Sequence, residues 1–279
     1  MVARLVANAI APHISSPIVI ENRAGAAGTI AADAAAKAPP DGYTALTVDM
    51  GAMVYNQALF RKLPYDPTKD FTLVALYIRI PFTVAVSQNF PVRNMREFIA
   101  YAKANPGKIS MAFVGVGSPH HLGLERLQRI TGIQVTHVPY RGGAAFVNDL
   151  AAGTLDAAFL DYATGVAGFQ SNRIRAIASA TEERVAEFPD VPTLAEQGVQ
   201  GSELSSYQGV VMPAGTPPAI VRRFGELVAE AVRSPTVVSR MRDLGAVPMY
   251  ASPEDFQRVI DREAEAWLPI IRDLNIALD

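Results

Sequence analysis

Short runs rich in Val, Ile and Leu alternate with stretches of helical periodicity along most of the chain. The apolar runs predict strands over Ile18–Glu21, Tyr43–Val48, Phe71–Tyr77, Pro81–Val86, Ile109–Phe113, Gln134–Val138, Ala157–Leu160 and Ile174–Ala178. The periodic stretches predict helices over 1–11, Thr29–Lys37, Met95–Ala104, His121–Thr131 and Ala144–Ala152. This alternation predicts an α/β fold of mostly parallel sheets flanked by helices.

The last part of the chain has a different pattern. It predicts three helices, Pro217–Val232, Thr236–Leu244 and Pro253–Leu274, with one short strand candidate at Val247–Tyr250. If these helices pack back on the N-terminal block, the chain forms one lobe from 1–86 plus 209–279 and a second from 87–208. Two crossovers would then join the lobes, and a small ligand would bind in the cleft between them.

Composition narrows the classes of function. The chain has 279 residues, 49% of them hydrophobic and 19% charged, which is typical of a globular protein. A net charge of −2 without a dense Lys/Arg cluster argues against a nucleic-acid partner. Because cysteine is absent, disulfides, thiolate nucleophiles and cysteine metal sites are excluded. No apolar run is long enough for a membrane span, and residues 1–11 predict an amphipathic helix rather than a signal peptide.

The first candidate site is the loop that joins the strand at Ile18–Glu21 to the next helix. Gly25 and Gly28 allow close backbone approach, and a helix N-terminus favours an anion. We therefore predict that the N–H groups of Ala27, Gly28 and Thr29 hold a carboxylate or phosphate, with help from the Thr29 hydroxyl. A tight strand-to-helix turn without a ligand explains the sequence equally well, and the G-x-G-x-x-G spacing of dinucleotide sites is missing.

A second loop, Val114–His121, also follows a strand and precedes a helix. Ser118 is placed to cap that helix, with Pro119 at its first position. We predict a second carboxylate site from Gly117, Ser118 and His121; the alternative is a capped helix with two ordinary histidines. A metal site is less favoured, although Glu125 stands four residues after His121.

Three further segments end strands or precede a crossover. Asp49, Gly51 and Met53 lie in a predicted loop after a strand, where Asp49 serves either a ligand or a helix cap. Asp161 and Tyr162 follow the strand Ala157–Leu160, where the acid would bind an amine or hydroxyl, repel a second carboxylate, or form a cap. Ser206 and Tyr207 precede the return crossover, and Tyr207 offers an apolar ring with a hydroxyl.

None of these segments forms a catalytic constellation. The sequence lacks a G-x-S-x-G elbow, an H-E-x-x-H motif and a P-loop lysine. Hydroxyls, glycines and helix starts bind anions without transforming them. We therefore predict a binding protein that is not an enzyme and has no cofactor. Two alternatives stay open: an α/β enzyme that uses a nucleotide or dinucleotide, and the ligand-sensing domain of a regulator.

Several motifs, taken in order, resemble the Bug-type substrate-binding proteins of tripartite tricarboxylate transporters. They cover essentially all of the chain and comprise Glu21-Asn22-Arg23-Ala24-Gly25-Ala26-Ala27-Gly28, Pro40-Asp41-Gly42-Tyr43-Thr44, Leu63-Pro64-Tyr65-Asp66-Pro67, Ala104-Asn105-Pro106-Gly107-Lys108, His137-Val138-Pro139-Tyr140-Arg141-Gly142, Phe188-Pro189-Asp190-Val191-Pro192-Thr193 and Met212-Pro213-Ala214-Gly215-Thr216-Pro217.

The resemblance implies a periplasmic, type II, two-lobed binding protein that closes on a small organic mono- or dicarboxylate. It implies that the protein delivers this ligand to the membrane components of the transporter. We expect the protein to be a monomer. The resemblance also implies ligand roles for the candidate residues of all five segments above. In the family a strand and a Pro-Gly-Gly-rich anion loop precede the first helix, so we expect the natural protein to be longer. The stretch Pro119-His120-His121, where the family has small residues before a single His, is expected to narrow the choice of ligand.

Overall fold

The computed structural model describes residues 2–279, which form ten α-helices and eight strands. The helices are α1 Val2–Ile10, α2 Thr29–Ala36, α3 Asn56–Leu59, α4 Met95–Ala104, α5 Pro119–Thr131, α6 Gly143–Ala152, α7 Tyr162–Gln170, α8 Pro218–Arg233, α9 Pro235–Asp243 and α10 Pro253–Asp273. The strands are β1 Leu46–Asp49, β2 Phe71–Ser87, β3 Ser110–Val114, β4 Thr136–Tyr140, β5 Ala157–Asp161, β6 Ile174–Ser179, β7 Ser205–Pro213 and β8 Val247–Ala251. Among these residues, no helix is both long and apolar enough to cross a membrane.

The chain divides into two compact units. Unit 1 contains the described residues up to Arg79, together with Tyr207–Asp243 and Val247–Asp279, and unit 2 contains Ile80–Ser206 and Leu244–Ala246. That the predicted lobes, 1–86 plus 209–279 and 87–208, act as the two halves of a binding protein stays a prediction.

Unit 1 is built on a sheet in which the pairs β1–β7 and β2–β8 are antiparallel. β1 pairs with β7, β7 lies beside the first half of β2, and β8 pairs with β2. Helix α8 buries an apolar stripe that includes Val221, Val228 and Val232, and it packs against α1. In the core, the ring of Tyr55 meets that of Trp267 edge to face, with centroids 6.3 Å apart. These contacts give unit 1 its own apolar core.

Unit 2 is built on a mixed sheet. β3 pairs in parallel with β4 and β5, whereas β5 and β6 are antiparallel to the second half of β2. Fully buried side chains of β5 and α6, among them Phe146, Leu150 and Leu160, form the core between sheet and helix. The α/β class is as predicted, and the parallel pairs lie in unit 2.

Several predicted elements differ in the structure. The strand prediction at Ile18–Glu21 is wrong: the segment forms no ladder, and Val19 is 83% exposed. An apolar run becomes a strand only where a neighbouring strand accepts its hydrogen bonds, and none does here. The two strands predicted over Phe71–Tyr77 and Pro81–Val86 are one strand, β2. Pro81 lies between its ladder with β8, which ends at Arg79, and its ladder with β5, which begins at Phe82.

Three elements were not predicted: α3, α7 after Asp161, and β7, which contains Ser206 and Tyr207. The cap alternative for Asp161 is present at the start of α7. The predicted loop from Asp49 to Met53 is helical from Gly51, with π-type hydrogen bonding through Tyr55. Glycines and small polar residues in these segments favour turns by local propensity, and tertiary packing overrides that preference.

Candidate functional site

The loop before α2 has a strained backbone. Four consecutive residues have positive φ: Gly25 at 127°, Ala26 at 44°, Ala27 at 50° and Gly28 at 84°. A side chain in this region costs about 1–2 kcal/mol, so the two alanines are held there against their preference. Backbone strain of this kind is concentrated at binding and catalytic segments.

Asn56 holds the strained loop in place. Its buried side-chain amide donates a hydrogen bond to the Ala27 carbonyl, with 3.1 Å between the atoms. The same amide contacts the Tyr65 hydroxyl at 3.3 Å, and that hydroxyl donates to the Ala52 carbonyl at 2.7 Å. The loop is therefore tied to the helical segment after β1, through a donor that the sequence analysis did not single out.

Two of the three predicted N–H donors are engaged within the loop. The Gly28 N–H donates to the Gly25 carbonyl at 2.9 Å, and the Thr29 N–H donates to the Ala26 carbonyl. Thr29 is the first residue of α2 and is 6% exposed. These bonds shape the turn, and the predicted capture of an anion by Ala27, Gly28 and Thr29 stays a prediction.

Unit 1 contains a cavity of about 240 Å³ beside this loop. Its lining comes from the loop, α2, β1, the segment after β1 and one residue of β7: Ala27, Gly28, Ala31, Ala32, Leu46, Thr47, Val48, Asp49, Ala52 and Gln208. Ala27, Gly28 and Asp49 were predicted from the sequence. The structure thus brings part of the first and third candidate segments to one pocket.

Thr47 and Gln208 are polar lining residues that were not predicted from the sequence, and Gln208 is the one that lies on β7. In the ladder between β1 and β7 it stands directly opposite Asp49. Its side-chain oxygen lies 3.3 Å from the Tyr77 hydroxyl, which is the donor of this pair. Burial alternates over residues 205–208 of β7 and places Ser206 and Gln208 on one face, while the pairing of β7 with β1 brings Gln208 to the cavity.

Asp49 closes the end of β1 and caps the helical turn that follows. Its Oδ1 accepts the Ala52 N–H at 3.0 Å, so the cap alternative is present in the structure. A Cβ on Gly51 would stand 2.9 Å from the same oxygen, so a larger residue there would displace the Asp49 carboxylate. Met53 is 2% exposed and belongs to the core.

Tyr207 is buried against Arg262. The guanidinium donates to the Tyr207 hydroxyl at 2.9 Å and lies 5.8 Å from the ring centroid. Burial raises the pKa of Tyr207, and the positive charge of Arg262 acts against that rise. Ser206, its neighbour on β7, is half-buried.

In unit 2, Ser118 is the N-cap of α5. Its Oγ accepts the His121 N–H at 3.4 Å and donates to the Val114 carbonyl, and Pro119 is at the start of the helix. The cap prediction is therefore confirmed. Because the hydroxyl already has a donor and an acceptor, its role toward a carboxylate stays a prediction.

The His121 ring fixes the backbone of the same loop. Its Nδ1 accepts the Gly117 N–H at 3.2 Å, which places the ring proton on Nε2. That nitrogen lies 3.6 Å from Oε1 of Glu125. The interaction with His121 lowers the pKa of Glu125, against the effect of burial. Both ring nitrogens thus face groups of unit 2.

His137 approaches the same carboxylate from β4. The Oε1 of Gln128 accepts the Val135 N–H at 3.0 Å, so its amide nitrogen is the donor to His137 Nε2 at 2.8 Å. The proton of His137 therefore lies on Nδ1, 3.5 Å from Oε1 of Glu125. The two imidazoles thus each direct one N–H at the same oxygen, Oε1 of Glu125.

This arrangement opposes a metal ion. The side-chain ligand atoms of His121, Glu125 and His137 lie within 4.8 Å of one another, a spacing that suits a divalent cation. A metal-bound histidine, however, donates its other N–H to an acceptor, whereas here the other nitrogens accept hydrogen bonds. The nitrogens that face Glu125 carry protons, and the cluster fits a hydrogen-bonded carboxylate instead.

Asp161 has a full set of donors. Its Oδ1 accepts the Thr164 N–H as the N-cap of α7, and its Oδ2 accepts from the Thr164 hydroxyl and from His120 Nε2 at 2.9 Å. Burial raises the pKa of Asp161, but the bonds from His120 and Thr164 outweigh burial and lower it. Tyr162 is fully buried, and its hydroxyl lies 2.7 Å from the Ser179 hydroxyl.

His120 is the partner that the sequence analysis did not select. It lies edge-on to Phe82, with centroids 4.9 Å apart, and binds Asp161 across 41 residues of sequence. No local spacing predicts a pair so far apart, and the adjacent His121 was selected in its place.

A sequence model described as "Tripartite tricarboxylate transporter family receptor" (TctC) matches residues 2–276. The chain belongs to this receptor family. Relatives include the BugT protein of Bordetella pertussis, 31% identical over 100% of this chain and 86% of that protein. A UPF0065 protein from the tcbD–tcbE intergenic region of a Pseudomonas species is 32% identical over 99% of this chain and 82% of the relative. The predicted Bug-type resemblance is confirmed.

Solved structures of similar proteins have the same fold. The structure "R. palustris Rpa4515 with adipate" has a TM-score of 0.88 at 34% identity, covering 100% of this chain and 93% of the other. MatC of Rhodopseudomonas palustris, with bound malate, has a TM-score of 0.82 at 32% identity, covering 97% and 93%. The predicted α/β fold of two-lobed binding proteins is confirmed, and the family and its structural neighbours are binding proteins.

Proposed function

We propose that this TctC receptor is a periplasmic protein that binds a small organic carboxylate and delivers it to the membrane components of a tripartite tricarboxylate transporter. The adipate and malate in the structures of two similar proteins support the ligand class. Periplasmic location, the transporter partnership and a monomeric state belong to the proposal as well. So does the cleft between two lobes that the sequence predicts.

The observation that carries the proposal is the strained loop beside the unit 1 cavity. Four residues with positive φ precede α2, and Asn56 holds them there. The partial positive charge at the start of a helix favours a carboxylate at this position. We propose Ala27, Gly28, Thr29, Asp49 and Gly51 as contributors from unit 1, together with Met53 and Tyr207 as their packing support.

The candidate residues of unit 2 form a second part of the proposal. We propose that Gly117, Ser118, Asp161 and Ser206 contribute backbone or hydroxyl contacts to the ligand. His121 and Tyr162 would act by positioning their neighbours, because their polar atoms face Gly117, Glu125 and Ser179. The proposal includes binding without a catalysed reaction, because the proposed contact residues contain no nucleophile paired with a base.

Thermal-shift screening followed by calorimetry tests the function. The panel contains aliphatic dicarboxylates, hydroxy acids, amino acids and aromatic acids, with NAD and ATP as representatives of the nucleotide alternative. We expect at least one carboxylate to raise the melting temperature and to bind with a stoichiometry of one. The acid recovered from the solution after binding should be chemically unchanged. Stabilisation by NAD or ATP alone, or conversion of the bound acid, would contradict the proposal.

A further inference from the structure

The unit 1 cavity places an acid and an amide side by side. Asp49 and Gln208 are opposite each other in the β1–β7 ladder, and both line the cavity. Directly opposed residues on one pair of strands have Cβ atoms about 5 Å apart, within reach of one small ligand group. The pair thus forms a polar wall in a cavity otherwise lined mostly by small and apolar residues.

The charge of this wall is negative and has no cationic partner in the cavity. Of the ten lining residues, all within the described chain, Asp49 alone is ionisable. Its Oδ1 accepts one N–H, from Ala52. The Asp49 charge also contributes to the raised pKa values of three nearby tyrosines, Tyr55, Tyr65 and Tyr77, although burial is the larger cause in each.

A ligand with only carboxylates would meet repulsion at this wall. Two negative charges a few ångströms apart at a protein surface repel each other, and the surrounding water screens this repulsion only in part. An ammonium group instead gains a charge-assisted hydrogen bond to the carboxylate and can donate to the amide oxygen of Gln208. The cavity therefore distinguishes acids by what they carry beside the carboxylate.

We propose that the ligand is an amino acid, with its carboxylate at the loop of residues 25–28 and its ammonium group against Asp49 and Gln208. This inference rests on the proposed function and specifies its substrate class. Asp49 is then a residue that determines specificity, because it selects an ammonium group over a second anion.

Matched ligand pairs test the inference by calorimetry. Aspartate is compared with succinate, glutamate with glutarate, and alanine with propionate, so that each pair differs in the ammonium group. We expect the best amino acid to bind about tenfold or more tightly than its partner, the factor that 1.4 kcal/mol of selective interaction gives. Wild-type protein that binds the acid without the ammonium group equally well or better would overturn the inference while leaving the proposed function intact.

Variants then assign the preference to Asp49. Asp49→Asn keeps an oxygen for the Ala52 N–H but removes the charge, and we expect the ratio within each pair to fall to about one. Asp41→Asn is the control, since Asp41 is exposed in unit 1 and its Oδ1 likewise accepts one N–H, from Tyr43 at 3.0 Å. The assignment would be overturned if both variants lost the preference for the amino acid equally, or if the affinity ratio within each pair were unchanged in Asp49→Asn. Binding of no carboxylate at all would contradict the proposed function, and this inference with it.

Discussion

Asn56 and Ala27 are joined by a hydrogen bond of 3.1 Å from a buried amide to the carbonyl of a residue with positive φ. We expect Asn56→Ala to lower the free energy of unfolding by about 1–3 kcal/mol, because the amide's bond to the Ala27 carbonyl is lost and the buried Tyr65 hydroxyl is left without this donor. Ligand affinity should fall as well, since the loop would relax toward negative φ. Denaturant unfolding and calorimetry measure the two effects.

The matched control is Asn105→Ala, which also removes an amide-to-carbonyl bond, to Tyr101 at 3.0 Å, but at an exposed helix end. We expect it to change stability by less than about 0.5 kcal/mol and affinity not at all. Equal losses in both variants would mean that Asn56 has no special role in holding the loop.

Gly28 and Gly142 give a direct test of backbone strain. Both are N-cap residues, and a Cβ at either meets no atom within 4 Å, but φ is 84° at Gly28 and −166° at Gly142. Gly28→Ala should therefore cost about 1–2 kcal/mol through φ alone, and Gly142→Ala should stay within about 0.5 kcal/mol of wild type. Thermal unfolding of the two variants measures this difference, and similar stability in both would refute it.

The Ser118 hydroxyl gives a test of cap against ligand contact. Ser118→Ala should lower the free energy of unfolding by about 1 kcal/mol, the usual effect of losing an N-cap, whereas Ser118→Asp should restore most of it. If Ser118 also contacts the carboxylate, affinity falls in Ser118→Ala and falls further in Ser118→Asp through repulsion. Affinity that follows stability alone would remove Ser118 from the proposed ligand contacts.

Acid should weaken unit 2 through His137. Burial lowers the pKa of His137 below its ordinary value of 6.5, while Glu125 acts in the opposite direction. The unfolded chain therefore takes up a proton before the folded chain does, so stability falls as pH drops below about 6.5 toward the folded pKa. We expect His137→Gln to flatten the curve of unfolding free energy between pH 7.5 and 5, measured by denaturant unfolding.

His13→Gln, which changes an exposed histidine, should leave that curve as in wild type. Nitrogen NMR of the histidine rings adds an independent reading, because it reports the proton on Nδ1 of His137 and on Nε2 of His121. A proton on the opposite nitrogen of either ring would contradict the hydrogen-bond assignment and would make a metal site at this cluster plausible again.

Local patterns predicted the elements that carry their own signals. The amphipathic helix at 1–11 corresponds to α1, with Val6 and Ile10 buried, and the Ser118-Pro119 cap begins α5 as expected. Such features depend on nearest neighbours along the chain, which a single sequence displays. The motifs that carry the family resemblance are likewise visible in a single sequence, and the family match confirms that resemblance.

The remaining features depend on partners distant in sequence. Ile18–Glu21 has a strand composition but no ladder, and Gln208 reaches the cavity because β7 pairs with β1. Asp161 and His120 lie 41 residues apart, and Asn56 and Ala27 lie 29 apart. These pairs form because of strand register and side-chain direction, and neither can be predicted from the periodicity of a single segment.

The central claim is that a small carboxylate binds at the loop of residues 25–28 in unit 1. Backbone amide NMR during titration with a ligand already shown by calorimetry to bind tests it most directly. We expect the signals of Ala27, Gly28 and Ala52 to shift in proportion to occupancy, while those of Gly107 and Gly153, at turns of unit 2 that no proposed contact includes, stay in place. A saturated protein in which the signals of Ala27, Gly28 and Ala52 do not move would contradict the account.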